Sequence, residues 1–236
     1  MAEEMQSSLP VAKKYFGETA QIYDAARQIK EETHQDQFVI ENALRAFVGR
    51  GSQVLDIACG TNRVSRLIHD LGGRYHGIDI SADMVALARE KEPESDIRVA
   101  DARDIPHPAG KFDLVMTVKF LKWLPNDAIL QQVLNEIARV LRPNGIALLH
   151  QQIQVVSPLR RSKGLRAVLT AFVKAPFARS QADDDLIKTR ATDESTFLAR
   201  CREAGLDAKY NMLISPVTVA ATKKRVNVFY VLQKRA

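Results

Sequence analysis

The chain has 236 residues, 46% hydrophobic and 26% charged, with a formal net charge of +6 and two cysteines. That is a soluble globular profile, long enough for one domain of α/β size or two small ones. Two cysteines, Cys59 and Cys201, exclude a disulfide framework. No CxxC pair offers zinc a site, no run approaches the roughly 18 apolar residues of a membrane span, and "MAEEMQSSLPVAKK" lacks the apolar core of a secretory signal. A cytoplasmic protein is expected.

Residues 7–48 read as helical, with Ala20, Ile22, Tyr23 and Ala26 near helical spacing. After "GRGS" come a strand over Val54–Ala58, a helix from about Thr61 to Leu71, a "GG" break and a second strand over Tyr75–Ile80. Ser81 is placed to cap the next helix, which carries Met84, Leu87 and Ala88 on one face. "DIRVADARDIP" reads as a third strand entering a loop. "KFDLVMTVKFL" is a continuous apolar strand of the kind a parallel sheet buries on both faces.

"PNDAILQQVLNEIARVL" is an amphipathic helix with Ile129, Val133, Ile137 and Val140 on its stripe, halted by "RPNG" before the fifth strand, "IALLHQQIQVV". Between Pro158 and Ser180 lie Arg160, Arg161, Lys163, Arg166, Lys174 and Arg179 with no acid among them. These six bases equal the whole net charge, so the rest of the chain is neutral. A protein that grips a nucleic-acid backbone spreads its charge more widely, and no nucleic-acid partner is expected. A helix over "DESTFLARCREAG" and strands over Asp207–Leu213 and Val226–Gln233 close the chain.

Alternating strands and helices imply a mostly parallel sheet with helices on both faces. Ligands bind such sheets beyond the carboxyl ends of the strands, which directs attention to the loops after Ala58, Asp79, Asp101, Val118 and Gln152.

Asp79 ends the second strand 19 residues beyond Gly60. A carboxylate there can accept both hydroxyl hydrogens of an adenosine ribose; capping the helix that starts near Ser81 is the plainer role. The turn Asp56–Arg63 matches the dinucleotide pattern GxGxxG poorly, and the P-loop pattern is absent. An acid at Asp56, ahead of the turn, suits a cofactor with a positive end. S-adenosylmethionine, with an ammonium, a sulfonium and no phosphate, fits.

The ordered motifs "YFGETAQIYDAAR", "VLDIACGTN", "GIDISADMVALA", "VADARDIP", "FDLVMTVKFLKWLP" and "IARVLRPNGIALL" resemble those of class I S-adenosylmethionine-dependent methyltransferases. The likeness is to the small-molecule group that includes ubiquinone and menaquinone methyltransferases. It covers nearly all of residues 14–234 and implies a Rossmann-like doubly wound sheet of seven strands, mostly parallel, with an antiparallel C-terminal strand. One domain results: a helical arm (1–50), a cofactor-binding core (51–157), a basic insertion or lid (158–185), and a C-terminal helix and strands (186–236).

The resemblance also implies roles. Asp56 would bind the methionyl ammonium through water, and the backbone around Ala58, Gly60 and Asn62 would wrap the methionine end. Asp79 would hold the ribose, with Ile80 and Met84 packing against ribose and adenine. Asp101 would accept from the adenine amino group, Ala102 would read a ring nitrogen through its backbone, and Val118 would offer its carbonyl to the ammonium. Tyr23 would close over the carboxylate. For Met84 and Val118 the plainer reading is core packing, and for Asp101 a loop cap.

Ala58 and Asn62 stand where related turns carry glycine. Asn tolerates the left-handed region, whereas Ala58 there would cost on the order of 1 kcal/mol. An oxygen acceptor of high pKa needs a general base, for which His150 is the candidate by position; a satisfied interior histidine is the alternative. His34 and His107 are weaker candidates, and no metal is expected. Phe120, Lys122 and Trp123 are placed to line an acceptor pocket. The basic segment reads as a lid, a surface that rests on anionic membrane, a contact for an anionic acceptor, or an ordinary solvated helix.

The expected activity is methyl transfer from S-adenosylmethionine to a small or lipid-linked acceptor, at oxygen. A catalytically inactive scaffold of the same fold is the alternative, and a nucleic-acid methyltransferase is disfavoured.

Overall fold

The computed structural model describes residues 31–155, 193–216 and 224–236. Tyr23, the rest of the arm before Glu31 and the basic segment 158–185 lie outside the described residues. Helix α1 (Glu31–Phe47) leads into β1 (Gln53–Ile57), α2 (Ser65–Asp70), β2 (Arg74–Asp79), α3 (Ala82–Lys91), β3 (Asp96–Val99) and β4 (Phe112–Thr117). A 3₁₀ turn (Leu121–Trp123), α4 (Asp127–Val140), β5 (Leu141–Val155), α5 (Glu194–Glu203), β6 (Leu206–Pro216) and β7 (Lys224–Lys234) follow.

The strands form one seven-stranded sheet in the order β3-β2-β1-β4-β5-β7-β6. The first five pair in parallel, and β7 runs antiparallel to both of its neighbours. Strand periodicity divides the side chains between two cores. In β7, Val228, Tyr230 and Leu232 face the core beneath α4 and α5, while Phe229 and Val231 face the one beneath α1, α2 and α3. In β1, Leu55 and Ile57 take the first face and Val54 the second. Strands buried on both sides read as continuous apolar runs for this reason.

Helix boundaries follow from caps. Ser81 accepts the Met84 N–H at 3.2 Å and starts α3, and Asn126 accepts the Ile129 N–H at 2.9 Å and starts α4. The expected helix from Thr61 begins four residues late. Asn62 is left-handed at φ 58°, a state that breaks a right-handed helix, and its Oδ1 accepts the Ser65 N–H at 3.2 Å. On α3, Val85 rather than Leu87 joins Met84 and Ala88 in the core. On α4 the buried arc widens to Leu130, Leu134 and Ala138, because α5 packs beside the sheet against it, and Ile129 is only half-buried.

The loop after β3 is tied to α4 by one ion pair. Arg139 donates to Glu136 at 2.7 Å and to the carbonyls of Ile105 and His107 at 2.9 Å, and Glu136 accepts the Ile105 N–H at 2.8 Å. The Arg139 guanidinium holds the Glu136 carboxyl below its ordinary 4.5. A depressed folded-state pKa contributes stability that is complete above the unfolded value and is lost as pH falls through the folded one. Glu136→Gln should therefore lower stability at pH 7 by about 1 kcal/mol. Thermal melts should show the gap from wild type closing below about pH 4.5.

Candidate active site

At the carboxyl ends of β1, β2 and β4 a cleft of about 390 Å³ opens. Its first wall is the bend after β1, where Ala58, Gly60 and Asn62 are all left-handed, at φ 57°, 56° and 58°. An ideal Cβ at Gly60 meets no protein atom within 4 Å, so the backbone there is bare toward open space. The bend is held by Cys59 N–H to the Ile78 carbonyl and by Asn62 N–H to the Cys59 carbonyl, both at 3.1 Å.

Asp79 joins that bend to the next helix. Its Oδ2 accepts the Gly60 N–H at 2.8 Å and its Oδ1 accepts the Ser81 N–H at 2.9 Å. Each carboxylate oxygen has two acceptor sites, so the group retains capacity for ligand donors where it lines the cleft. Burial pushes the Asp79 carboxyl up, opposed by these backbone donors.

Below the bend, Asp56 is buried and its Oδ2 accepts from the Tyr75 hydroxyl at 3.3 Å. The Cys59 thiol is raised well above its ordinary range by burial and then by the charges of Asp56 and Asp79. Negative charge thus gathers under this end of the cleft, the sign suited to a cationic ligand.

Of the residues selected from sequence, Ala58, Gly60, Asp79, Ile80, Met84, Asp101, Ala102 and Val118 line the cleft. Asp56 and Asn62 lie behind it. Asp101 is already engaged: Arg103, also at the wall, donates to it through Nε at 2.8 Å, Nη2 at 2.6 Å and its backbone N–H at 2.8 Å.

The other end is walled by Phe120, Trp123, Leu124, Ile129 and Val133, with Lys119 and Lys122 beside them. Lys122 Nζ stands 5.2 Å from the Trp123 ring centroid. Lys119 is left-handed at φ 60°, and its ammonium meets the buried carboxylate of Asp36 on α1 at 2.5 Å. Neither Asp36 nor Arg103 was selected from sequence. Asp36 lies 83 residues from Lys119, and no local pattern connects them.

His150 is 1% exposed and does not line the cleft. Its Nδ1 accepts the Lys119 N–H at 3.2 Å. Burial, followed by the charges of Lys122, Lys119 and Arg63, pushes its pKa down to about 3. His107 lies elsewhere, with His76 and Asp96, in a trio whose ligand atoms fall within 4.8 Å of one another. Lys111 occupies its focus, with Nζ 3.3 Å from His76 Nδ1, 3.2 Å from His107 Nδ1 and 4.0 Å from Asp96. A resident ammonium fills the place a metal ion would take.

Residues 55–149 match the family described as "Methyltransferase domain". Over that stretch the chain is similar to methyltransferase domains. It is 30% identical over 151 residues to dTDP-3-amino-3,6-dideoxy-alpha-D-glucopyranose N,N-dimethyltransferase of Streptomyces fradiae, covering 63% of this chain and 58% of that protein. It is 32% identical over 123 residues to malonyl-[acyl-carrier protein] O-methyltransferase of Salmonella typhimurium, covering 52% and 48%. The chain thus spans about half the length of the curated relatives it matches. A solved S-adenosylmethionine-dependent methyltransferase from Methanosarcina mazei superposes with a TM-score of 0.62 at 17% identity, covering 82% of this chain and 97% of that one. That likeness concerns the fold.

The bend after β1 is strained at Ala58, a non-glycine residue held at φ 57°. A left-handed alanine costs about 1 kcal/mol relative to glycine. Ala58→Gly should raise the melting temperature by about 2–4 °C, read by calorimetry.

Proposed function

We propose that the protein transfers a methyl group from S-adenosylmethionine to a small or lipid-linked organic acceptor, at an oxygen that is ionised at neutral pH. The observation that carries the cofactor half is the Asp79 carboxylate, anchored by two backbone donors at the wall of a cleft beside a bare left-handed bend. The residues present fit the group: a carboxylate for the ribose diol, an open backbone at Gly60, and negative charge beneath the end that would receive the ammonium.

In this reading Asp79 accepts the ribose hydroxyls, while Ile80 and Met84 pack against sugar and base. Asp101, braced by Arg103, and the Ala102 backbone meet the adenine edge. The Val118 carbonyl, with Asp56 through water, takes the ammonium, and Tyr23 covers the carboxylate. When bound, the cofactor supplies a methyl already activated on a sulfonium. The protein then has to align the acceptor and exclude water, a task suited to the apolar wall of Phe120, Trp123, Leu124, Ile129 and Val133.

The acceptor's ionisation follows from the charges at this end. No histidine lines the cleft among the described residues, and His150 is too weak a base at about 3 to draw a proton from a high-pKa hydroxyl. Burial depresses it first, then Lys122, Lys119 and Arg63; the Lys119 ammonium is paired with Asp36, and the positive charge of Lys122 at the cleft wall favours an anionic oxygen. The Salmonella typhimurium relative is named as an O-methyltransferase and the Streptomyces fradiae one as an N,N-dimethyltransferase. The charge pattern favours the first chemistry for this chain.

The alternative of an inactive scaffold rests on the strained Ala58. Calorimetry with S-adenosylmethionine separates the two. Micromolar binding, weakened about hundredfold or more by Asp79→Ala through loss of charge-assisted bonds, supports the enzyme; absence of binding at millimolar cofactor supports the scaffold. With methyl-labelled cofactor, carboxylate and acidic enol acceptors should be labelled in preference to amines. Exclusive labelling of amines would overturn the oxygen assignment.

A further inference from the structure

We infer that His150 is a positioning residue: by accepting the Lys119 N–H it fixes the Val118–Lys119 peptide so that the Val118 carbonyl faces the cleft. The inference rests on the proposed cofactor reading and adds to it the device that aims one of its acceptors.

The geometry is that of a single peptide plane. Among the described residues no peptide bond is cis, and in a trans peptide the N–H and C=O point in opposite directions. The Lys119 N–H points at His150 Nδ1, 3.2 Å away behind the cleft wall. The carbonyl of the same peptide, belonging to Val118, is therefore turned away from His150, toward the cleft that Val118 and Lys119 both line. A donor-bearing cationic group is the ligand chemistry such a carbonyl recognises.

Three observations show that the peptide is held against its own preference. Lys119 is left-handed at φ 60° without being glycine, a state that persists only where the surroundings impose it. Its side chain is anchored separately, on the buried carboxylate of Asp36. The imidazole is clamped as well: Phe229, its register partner on β7, packs edge-on at 4.8 Å between ring centroids.

The histidine itself carries an expense that an apolar residue would avoid. Its buried Nε2 has no hydrogen-bond partner among the described residues, and such orphaned groups are unfavourable. The bond from Lys119 also requires an unprotonated Nδ1, and burial with the nearby cations keeps the ring neutral down to about pH 3.

The test compares two ligands by calorimetry: S-adenosylhomocysteine, which carries the amino-acid end, and 5′-methylthioadenosine, which lacks it. Wild type should bind both. His150→Leu should weaken S-adenosylhomocysteine about tenfold, the scale of one lost hydrogen bond, and leave 5′-methylthioadenosine within twofold. His150→Asn, whose Oδ1 can stand in for Nδ1, should restore most of the loss. Lys119→Gly combined with Asp36→Asn, which removes the buried carboxylate that the glycine would leave unpaired, frees the same peptide without altering the imidazole and should reproduce the selective loss even if the leucine variant fails to fold.

Equal weakening of both ligands, or of neither, overturns the inference and leaves the cofactor reading intact. A wild type that binds neither ligand overturns the cofactor reading and the inference together.

Discussion

One carboxylate ties the cleft together. Asp79 closes β2, and each of its two oxygens accepts one backbone donor from a different segment, Gly60 in the bend after β1 and Ser81 at the head of α3. The bend can stay left-handed at three residues because this acceptor holds its amide in place, and α3 starts where it does because Ser81 is held there. A group that sets the shape of two loops and also lines the cleft cannot be altered for one purpose without disturbing the other.

The left-handed residues are unevenly distributed. Among the described residues four non-glycine positions are left-handed, and Ala58, Asn62 and Lys119 are at or next to the cleft; Asn144 is in the irregular start of β5. Local strain of this kind survives where surrounding contacts over-determine it. Here those contacts are identifiable: the Asp79 clamp, the Asn62 side chain on Ser65, and the His150 and Asp36 bonds to Lys119. The cleft's shape is thus fixed by bonds that reach it from outside.

Much of the architecture could be read from residue order, because its causes are local. Apolar runs bounded by Gly, Pro and Asn located the strands, and Ser81 announced its helix through a cap three residues long. Asp79 was legible from its distance to Gly60. The late start of α2 was not, since it follows from the φ of Asn62, which the bend dictates. The Asp36–Lys119 pair and the engagement of Asp101 by Arg103 join side chains whose meeting depends on tertiary packing. His150 shows the same limit: its place on β5 was apparent, although the strand runs on to Val155, but the direction of its ring, toward the Lys119 peptide, was not.

At the opposite end of the sheet, His76, His107 and Asp96 surround an ammonium that belongs to the chain itself. A tethered ion needs no supply from solution and cannot be stripped by a chelator or exchanged for a competitor. That corner of the molecule consequently gains its cation from its own chain as soon as it folds.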